Sequence, residues 1–333
     1  RSRVLGPDHR STLISRDDLA DTYWEAGRFD EAITLKRQIL ADAMRVMGPD
    51  SSGASAARLS LAATYRDAGR LDESITLHQE NLDDVARIMG PDHPDTLTAR
   101  NLLAGAYREA GRLDEAMTLY QQNLADSTRL AGPDHPHTLS SRGTLASAYR
   151  DAGRLDEAIP LYEQNLDDVA RTLGLDHPET LASRHSLAGA YRDAGRLDDA
   201  IPLFEQNLTD FTRILGPDRP DTFTSRSTLA SAYQAAGRPD EAIPLYEQNL
   251  EDRTHTLGPA HPVTLTSRNN LAGAYQAAGR LDDAIPLFEQ NLEDRTRTLG
   301  PAHPVTLTSR GNLAGAYRAA GRFEDAEKLF GTP

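Results

Sequence analysis

The 333-residue chain contains no cysteine. That excludes disulfides, thiolate catalysis and cysteine-type zinc sites, and it says nothing about redox compartment. Lysine is nearly missing: of 36 basic residues only Lys36 and Lys328 are lysines, and the other 34 are Arg. Apolar residues make up 38% of the chain, below the 45–50% usual for globular chains, and the mean hydropathy is −0.55. No stretch approaches the roughly 20 apolar residues of a membrane span, and no apolar run of the signal-peptide kind stands near the N-terminus. No membrane partner is expected. Asp and Glu number 50 against the 36 basic residues, a net charge of −14, so nucleic acid and anionic lipid should be repelled. There is no Gly-x-x-x-x-Gly-Lys-Ser/Thr loop, no His-Glu-x-x-His and no His/Ser/Asp arrangement. An enzyme, a cofactor and a metal site are therefore not expected. Position 1 is Arg, not Met, and the chain is expected to be part of a longer protein.

What is plentiful is glycine at a fixed interval. Gly48, Gly90, Gly132 and Gly174 set a 42-residue period, and the series extends from Gly6 to Gly300. A second series runs from Gly27 to Gly321 with the same step. Eight such periods account for the whole chain, which predicts one repeat array over residues 1–333. In the unit from Pro136 to Gly174, Leu139, Leu145, Ala146 and Tyr149 recur at helical spacing. Gly153 is expected to stop that helix in a left-handed conformation. A second helix follows with Ala158, Ile159, Leu161, Tyr162, Leu166 and Val169 on its apolar face. Asp156 is expected to cap its start and Asp176 the start of the next unit, with Pro178 in the first turn. Pro160, Pro202, Pro244 and Pro286 are placed in the first turn of the second helices, where a missing N–H is harmless. The expected fold is all-α: a right-handed α-solenoid of eight helical hairpins with a 42-residue period. A single hairpin cannot bury its apolar face, and a stack of hairpins can.

Leu145-Ala146, Tyr149, Gly153, Ala158, Tyr162 and Leu166 resemble the tetratricopeptide signature. The standard unit of that family is about 34 residues long. The added segment here, of the Leu-Gly-Pro-Asp-His-Pro type, makes the unit similar to the long repeats of kinesin light chains and of bacterial arrays. The resemblance implies a non-catalytic, cytoplasmic scaffold that binds a protein or peptide segment in a concave groove lined by the first helices. It also implies two alternatives: a structural array acting through its ends, or the sensor arm of a P-loop signalling ATPase. Family members that grip a C-terminal carboxylate use Lys and Asn on the inner face. The matching places here hold Gly143 and Ser147, or Asn101 and Gly105, so no such clamp is expected.

The inner-face positions include Trp24, Arg66, Arg108, Arg150, Arg192, Gln234, Gln276 and Arg318, beside Glu25, Asp67, Glu109, Asp151 and Asp193 and then Ala235, Ala277 and Ala319. Trp24, Arg66, Asn101, Arg108, Arg150, His185 and Arg192 are the candidate peptide-binding residues, with contacts expected over residues 60–195. Two further rows call for structural readings. His9, His93, His135, His177, His261 and His303 stand one hairpin apart, too far to converge on one metal, and are expected in turns and caps. Arg16, Arg58, Arg100, Arg142, Arg184, Arg226, Arg268 and Arg310 form a row on the first helices, and from Arg58 onward each follows an Asp of the preceding second helix at a constant interval. Pairing across each joint is expected, Arg142 with Asp126 and Arg184 with Asp168; the alternative is a cationic track. The acidic pairs Asp30-Glu31, Asp72-Glu73, Asp114-Glu115 and Asp156-Glu157 are expected as helix starts. Residues 241–282 and 283–324 differ at seven places, which suggests a spacer-like repetitive end. Ser2–Gly6 resembles the tail of a preceding second helix, and the last helix is expected to stop near Phe330. From this, end-to-end self-association is expected as a further property.

Overall fold

The computed structural model describes residues 10–331, and the segment Ser2–Gly6 and His9 lie outside them. The described residues form sixteen helices and no strand. They are α1 (Arg10–Glu25), α2 (Phe29–Met47), α3 (Ser52–Asp67), α4 (Leu71–Met89), α5 (Pro94–Glu109), α6 (Leu113–Ala131), α7 (Pro136–Asp151) and α8 (Leu155–Leu173). They continue as α9 (Pro178–Asp193), α10 (Leu197–Leu215), α11 (Pro220–Ala235), α12 (Pro239–Leu257), α13 (Pro262–Ala277), α14 (Leu281–Leu299), α15 (Pro304–Ala319) and α16 (Phe323–Lys328). Odd-numbered helices are the first of each hairpin and even-numbered ones the second. Apart from α16, first helices have 16 residues and second helices 19. The chain divides into two compact units, one running to residue 172 and one from residue 173. Within each, a helix packs on the one before and the one after it. This is the all-α solenoid of hairpins the 42-residue period predicts.

The helix boundaries follow from local chemistry. After α7 the chain turns at Gly153, φ +70°. The Gly153 N–H returns to the Arg150 carbonyl at 2.9 Å and the Arg154 N–H to that of Tyr149 at 2.8 Å. Only glycine holds that φ cheaply. Most first helices begin on histidine. His93, His135, His177, His261 and His303 each accept, at Nδ1, the backbone N–H two residues on. The histidine row thus caps helices, and the cap of α9 is His177, not Asp176. Asp176 instead accepts Arg213. Asp156 and its equivalents also differ from expectation. They lie inside the first turn, and their neighbours Glu31, Glu73, Glu115 and Glu157 accept from Arg28, Arg70, Arg112 and Arg154. Each of these Arg side chains also lies over a tyrosine of the preceding first helix, as Arg154 does over Tyr149 at 4.8 Å. Pro160, Pro202, Pro244 and Pro286 lie in the second turn of their helices, not the first. Each removes one internal hydrogen bond, and the helix runs on through it.

Close packing depends on alanine. Ala62, Ala104, Ala146, Ala188, Ala230, Ala272 and Ala314 on the first helices and Ala32, Ala116, Ala158, Ala200, Ala242 and Ala284 on the second are fully buried. A methyl group at these crossings lets the helix backbones approach, and leucine, isoleucine and aromatic side chains fill the flanks.

The charge ladder is present but in another register. Arg142 bonds Asp168, not Asp126, and Arg184 bonds Asp210, not Asp168. From Arg16–Asp42 to Arg268–Asp294 the partner lies on the second helix of the same hairpin, at 2.6–3.0 Å. The asparagine row joins the same pairs: Asn123 and Asn207 donate to the carbonyls of Leu97 and Leu181 and accept from Arg100 and Arg184. The ladder therefore ties hairpins internally. Joints between hairpins use tyrosine instead. The Tyr317 hydroxyl donates to Glu289 at 2.6 Å, Tyr233 and Tyr275 donate to Glu205 and Glu247, and Gln121 donates to the Tyr149 hydroxyl.

Candidate functional site

The candidate residues of the first helices fall into two groups. In the N-terminal unit, Trp24, Arg66 and Arg108 stand at the C-terminal ends of α1, α3 and α5. Their polar groups are engaged with one another's neighbours. The Trp24 indole donates to Asp67 at 2.8 Å, Arg66 lies 2.9 Å from Asp67 and 3.8 Å from Glu109, and Arg108 lies 3.6 Å from Asp151. This row bridges each first helix to the next. Arg150 and Ser147 hydrogen-bond the buried Tyr162 hydroxyl, whose pKa burial raises. In the C-terminal unit Arg192 pairs with its neighbour Asp193 at 3.2 Å, and the exposed His185 ring meets Phe204 edge-on with centroids 5.6 Å apart. Exposed pairs of this kind are screened by salt and contribute little to stability.

Asn101 belongs to a different feature, which the sequence reading missed. Between α5 and α7 a cleft of about 370 Å³ opens toward solvent, floored by the end of α6. Asn101, Asn123, Ser127, Ser140, Ser141 and Thr144 line it. The same opening recurs one hairpin earlier between α3 and α5, about 270 Å³, and again between α1 and α3, about 580 Å³. The lining changes along the row. Leu59, Val85, Ile88, Met89 and Leu102 line the middle cleft together with Ser55, Arg58, Asn81, Asp84 and Asp95, and Leu13, Ile14, Val46 and Met47 line the first. Ile14, Met47 and Met89 are about half exposed. All three clefts lie within the N-terminal unit.

The floor of each cleft carries one variable position, held by Ala43, Val85 and Ser127. In the same 42-residue register the C-terminal unit has Arg253 and Arg295. Both are buried, and each donates across the joint to a serine of the following first helix, Ser267 and Ser309, at 2.8 Å. The variable position was open to sequence inspection: it steps through Ala, Val, Ser, Val, Phe, Arg and Arg while the Asp before it never changes.

Among the described residues, no group of three His, Asp or Glu side chains could hold a metal ion, and no helix is long and apolar enough to cross a membrane.

Seven tetratricopeptide repeat matches cover residues 1–44, 54–125, 101–167, 138–209, 185–254, 221–290 and 263–331, the last six overlapping in turn. No curated protein matches the chain. Solved structures do. Nearly identical TPR-like repeats from a Podosopora anserina protein named for kinesin light chain are 37% identical, covering 62% of this chain and 98% of that one with a TM-score of 0.59. BtubC (BKLC) from P. vanneervenii is 22% identical over 70% of this chain and 94% of its own, TM-score 0.58. A signal transduction ATPase with numerous domains and a tetratricopeptide repeat sensor, from Pyrococcus horikoshii, is 14% identical over 90% of this chain and 43% of its own, TM-score 0.62. The last two likenesses are of fold alone.

Proposed function

Because the chain belongs to the tetratricopeptide repeat family, we propose that it is a non-catalytic scaffold that binds a protein or peptide segment along the wall formed by its first helices. The proposal takes residues 1–333 as one repeat array, working in the cytoplasm without a cofactor. The observation that carries it is the row of three clefts at one register in the N-terminal unit. Concave, partly apolar openings with a few placed polar groups are what ligands occupy. The clefts favour this reading over an array acting through its ends and over the sensor arm of a P-loop ATPase, neither of which requires them. Trp24, Arg66, Asn101, Arg108, Arg150, His185 and Arg192 are the proposed contact residues, with Asn101 inside a cleft and the arginines at the C-terminal ends of the first helices.

The test is hydrogen exchange on the whole chain with and without peptides selected from a random display library. Protection on α1, α3, α5 and α7 supports the reading. The Arg108→Ala, Arg150→Ala double variant should weaken binding several-fold at low salt and less at high salt, because exposed charges are screened within about 10 Å at 0.1 M. Selected peptides that protect only the second helices or the inter-hairpin turns would remove the first-helix wall as the binding surface.

A further inference from the structure

One position on each second helix and the position fifteen residues before it, on the first helix of the same hairpin, are matched in chemistry along the array. Lys36 on α2 bonds Asp21 on α1 at 2.7 Å. The Tyr162 hydroxyl bonds Ser147, and the Tyr246 hydroxyl bonds Ser231. Where the second helix carries phenylalanine, Phe204 or Phe288, the first helix carries glycine, Gly189 or Gly273. Two consecutive hairpins break the match: His78 stands with Ala63, and Tyr120 with Gly105.

Tyr120 is 3% exposed, and its hydroxyl has no hydrogen-bond partner among the described residues. Gly105, inside α5, is only half-buried. Outside its own stretch of helix, a Cβ placed on Gly105 would meet one atom within 4 Å, the Tyr120 hydroxyl oxygen at 3.8 Å. The space above this glycine is therefore open, and the hydroxyl borders it. Phe204 and Phe288 fill the same register without a hydroxyl, and a buried hydroxyl left unbonded costs free energy. Packing alone does not account for it. The other exception differs: the unpartnered Nδ1 of His78 is sealed from solvent, and no ligand reaches it.

The chemistry around the hydroxyl narrows what it can hold. Burial raises its pKa above the ordinary 10, so at neutral pH it keeps its proton and can donate. The charges that act on it are those of Arg108, Asp151 and Glu109. One cation against two carboxylates resists an added anion, so a neutral acceptor suits the site. A main-chain carbonyl is such an acceptor, present at every residue, and a glycine lets another backbone approach closely. Asn101 and Arg108 lie about one turn to either side of Gly105 on α5, where they flank the opening.

Resting on the first-helix reading above, we propose that Gly105 and Tyr120 form a binding site for the main chain of a protein segment. The segment runs extended over Gly105, and one of its backbone carbonyls accepts the Tyr120 hydroxyl. Asn101 and Arg108 meet the residues on either side of that carbonyl. In the hairpins of Tyr162 and Tyr246 a serine already takes the hydroxyl, and the same contact is closed.

The test uses two substitutions that the array itself supplies: Tyr120→Phe, as at Phe204 and Phe288, and Gly105→Ser, as at Ser147 and Ser231. In urea unfolding of the full chain without peptide, Tyr120→Phe should leave the midpoint unchanged or raised, while Tyr246→Phe should lower it. An equal loss in both would mean that the Tyr120 hydroxyl already has a partner in the chain, and overturns the inference. The binding probes are dodecapeptides selected on the wild-type chain from a random display library. Those that protect α5 in hydrogen exchange should lose about fivefold or more in affinity on both variants, the worth of one neutral hydrogen bond, and should bind Tyr246→Phe as tightly as wild type. In an amide-to-ester scan of the tightest of them, one position should cost affinity on the wild type but not on Tyr120→Phe. Coupling of Tyr120 to a peptide side chain or to the terminal carboxylate instead overturns the inference. So do binders that protect other first helices but not α5, or that are indifferent to both variants, and the wall reading then survives. A library that yields no binder, or none that protects a first helix, removes the wall reading as well.

Discussion

Arg142 Nη1 donates to Asp168 Oδ2 at 2.7 Å, from α7 to α8 of one hairpin. The other oxygen of Asp168 accepts Arg171 at 2.7 Å, and Arg171 reaches back to Asp134 in the turn before α7. One carboxylate thus connects the first helix, the second helix and, through Arg171, the turn that opens the unit. Arg142 is buried while Arg171 is mostly exposed, so the Arg142 arm carries most of the energy.

Double-mutant cycles distinguish this register from pairing across the joint. Arg142→Leu and Asp168→Ala should couple by about 1–3 kcal/mol in urea unfolding, and Arg142→Leu and Asp126→Ala should add to within about 0.5 kcal/mol. A coupling to Asp126 as large as that to Asp168 would reinstate the joint pairing.

The period, the hairpins and the glycine stops were legible because they depend on local spacing: a glycine at each 42-residue step and apolar residues one and two turns apart. The register of the Arg–Asp ladder was not. The repeat places an Asp on the second helix before an Arg and another on the second helix after it, as Asp126 and Asp168 flank Arg142. Linear spacing cannot choose between them. Only the packing angle within the hairpin does. The candidate row Trp24, Arg66 and Arg108 was legible as a row, but its mutual pairing was not, because Asp67, Glu109 and Asp151 each adjoin an arginine in sequence and also face the preceding first helix. The clefts were missed for a different reason. They open between the first helices of successive hairpins, and a gap between helices leaves no motif.

The hydroxyls of Tyr233, Tyr275 and Tyr317 are pushed up to about 12, first by burial and then by donation to Glu205, Glu247 and Glu289. The folded form keeps the proton, so the contribution is complete below the ordinary tyrosine pKa near 10 and is lost as pH rises from there toward about 12. Alkaline melting should steepen in that window. A Tyr233→Phe, Tyr275→Phe, Tyr317→Phe variant should be less stable at pH 8 but show a flatter loss between pH 10 and 12. Scanning calorimetry against pH measures both, and an unchanged alkaline slope would contradict the role of these hydroxyls.

His78 on α4 titrates on the acid side. Burial, and then the charge of Arg66, lowers its pKa from the ordinary 6.5. Its buried Nδ1 has no partner among the described residues. The unfolded chain therefore binds a proton that the folded chain resists, and stability falls as pH drops below about 6.5, by at most about 1.4 kcal/mol per pH unit. The same register holds Phe204 and Phe288 in later hairpins, so His78→Phe should fit and flatten the melting temperature between pH 6.5 and 5. Carboxylates such as Glu73, held low by Arg70, give way only at lower pH, and the capping histidines are common to both proteins and drop out of the comparison. A slope equal to wild type in the variant would assign the acid sensitivity elsewhere.

Arg253 and Arg295 are buried guanidinium groups with no carboxylate partner among the described residues. Arg253 bonds Ser267, lies 5.6 Å from the Phe223 ring and leaves its Nε without an acceptor. Burial, and for Arg253 the charge of Arg226 as well, makes the proton easier to lose than in an ordinary arginine. A charge removed from water with so few bonds in return destabilises the fold relative to an apolar residue of fitting shape. Val85 and Val169 show that shape in the same register. Arg253→Val and Arg295→Val should each stabilise the chain, by about 1–3 kcal/mol. Arg268→Val should do the opposite, since it leaves the Asp294 carboxylate, which Arg268 meets at 2.6 Å, with only the exposed Arg297 as a partner. Urea unfolding of the three variants compares them directly. Destabilisation by Arg253→Val equal to that of Arg268→Val would mean that the guanidinium is needed for the fold.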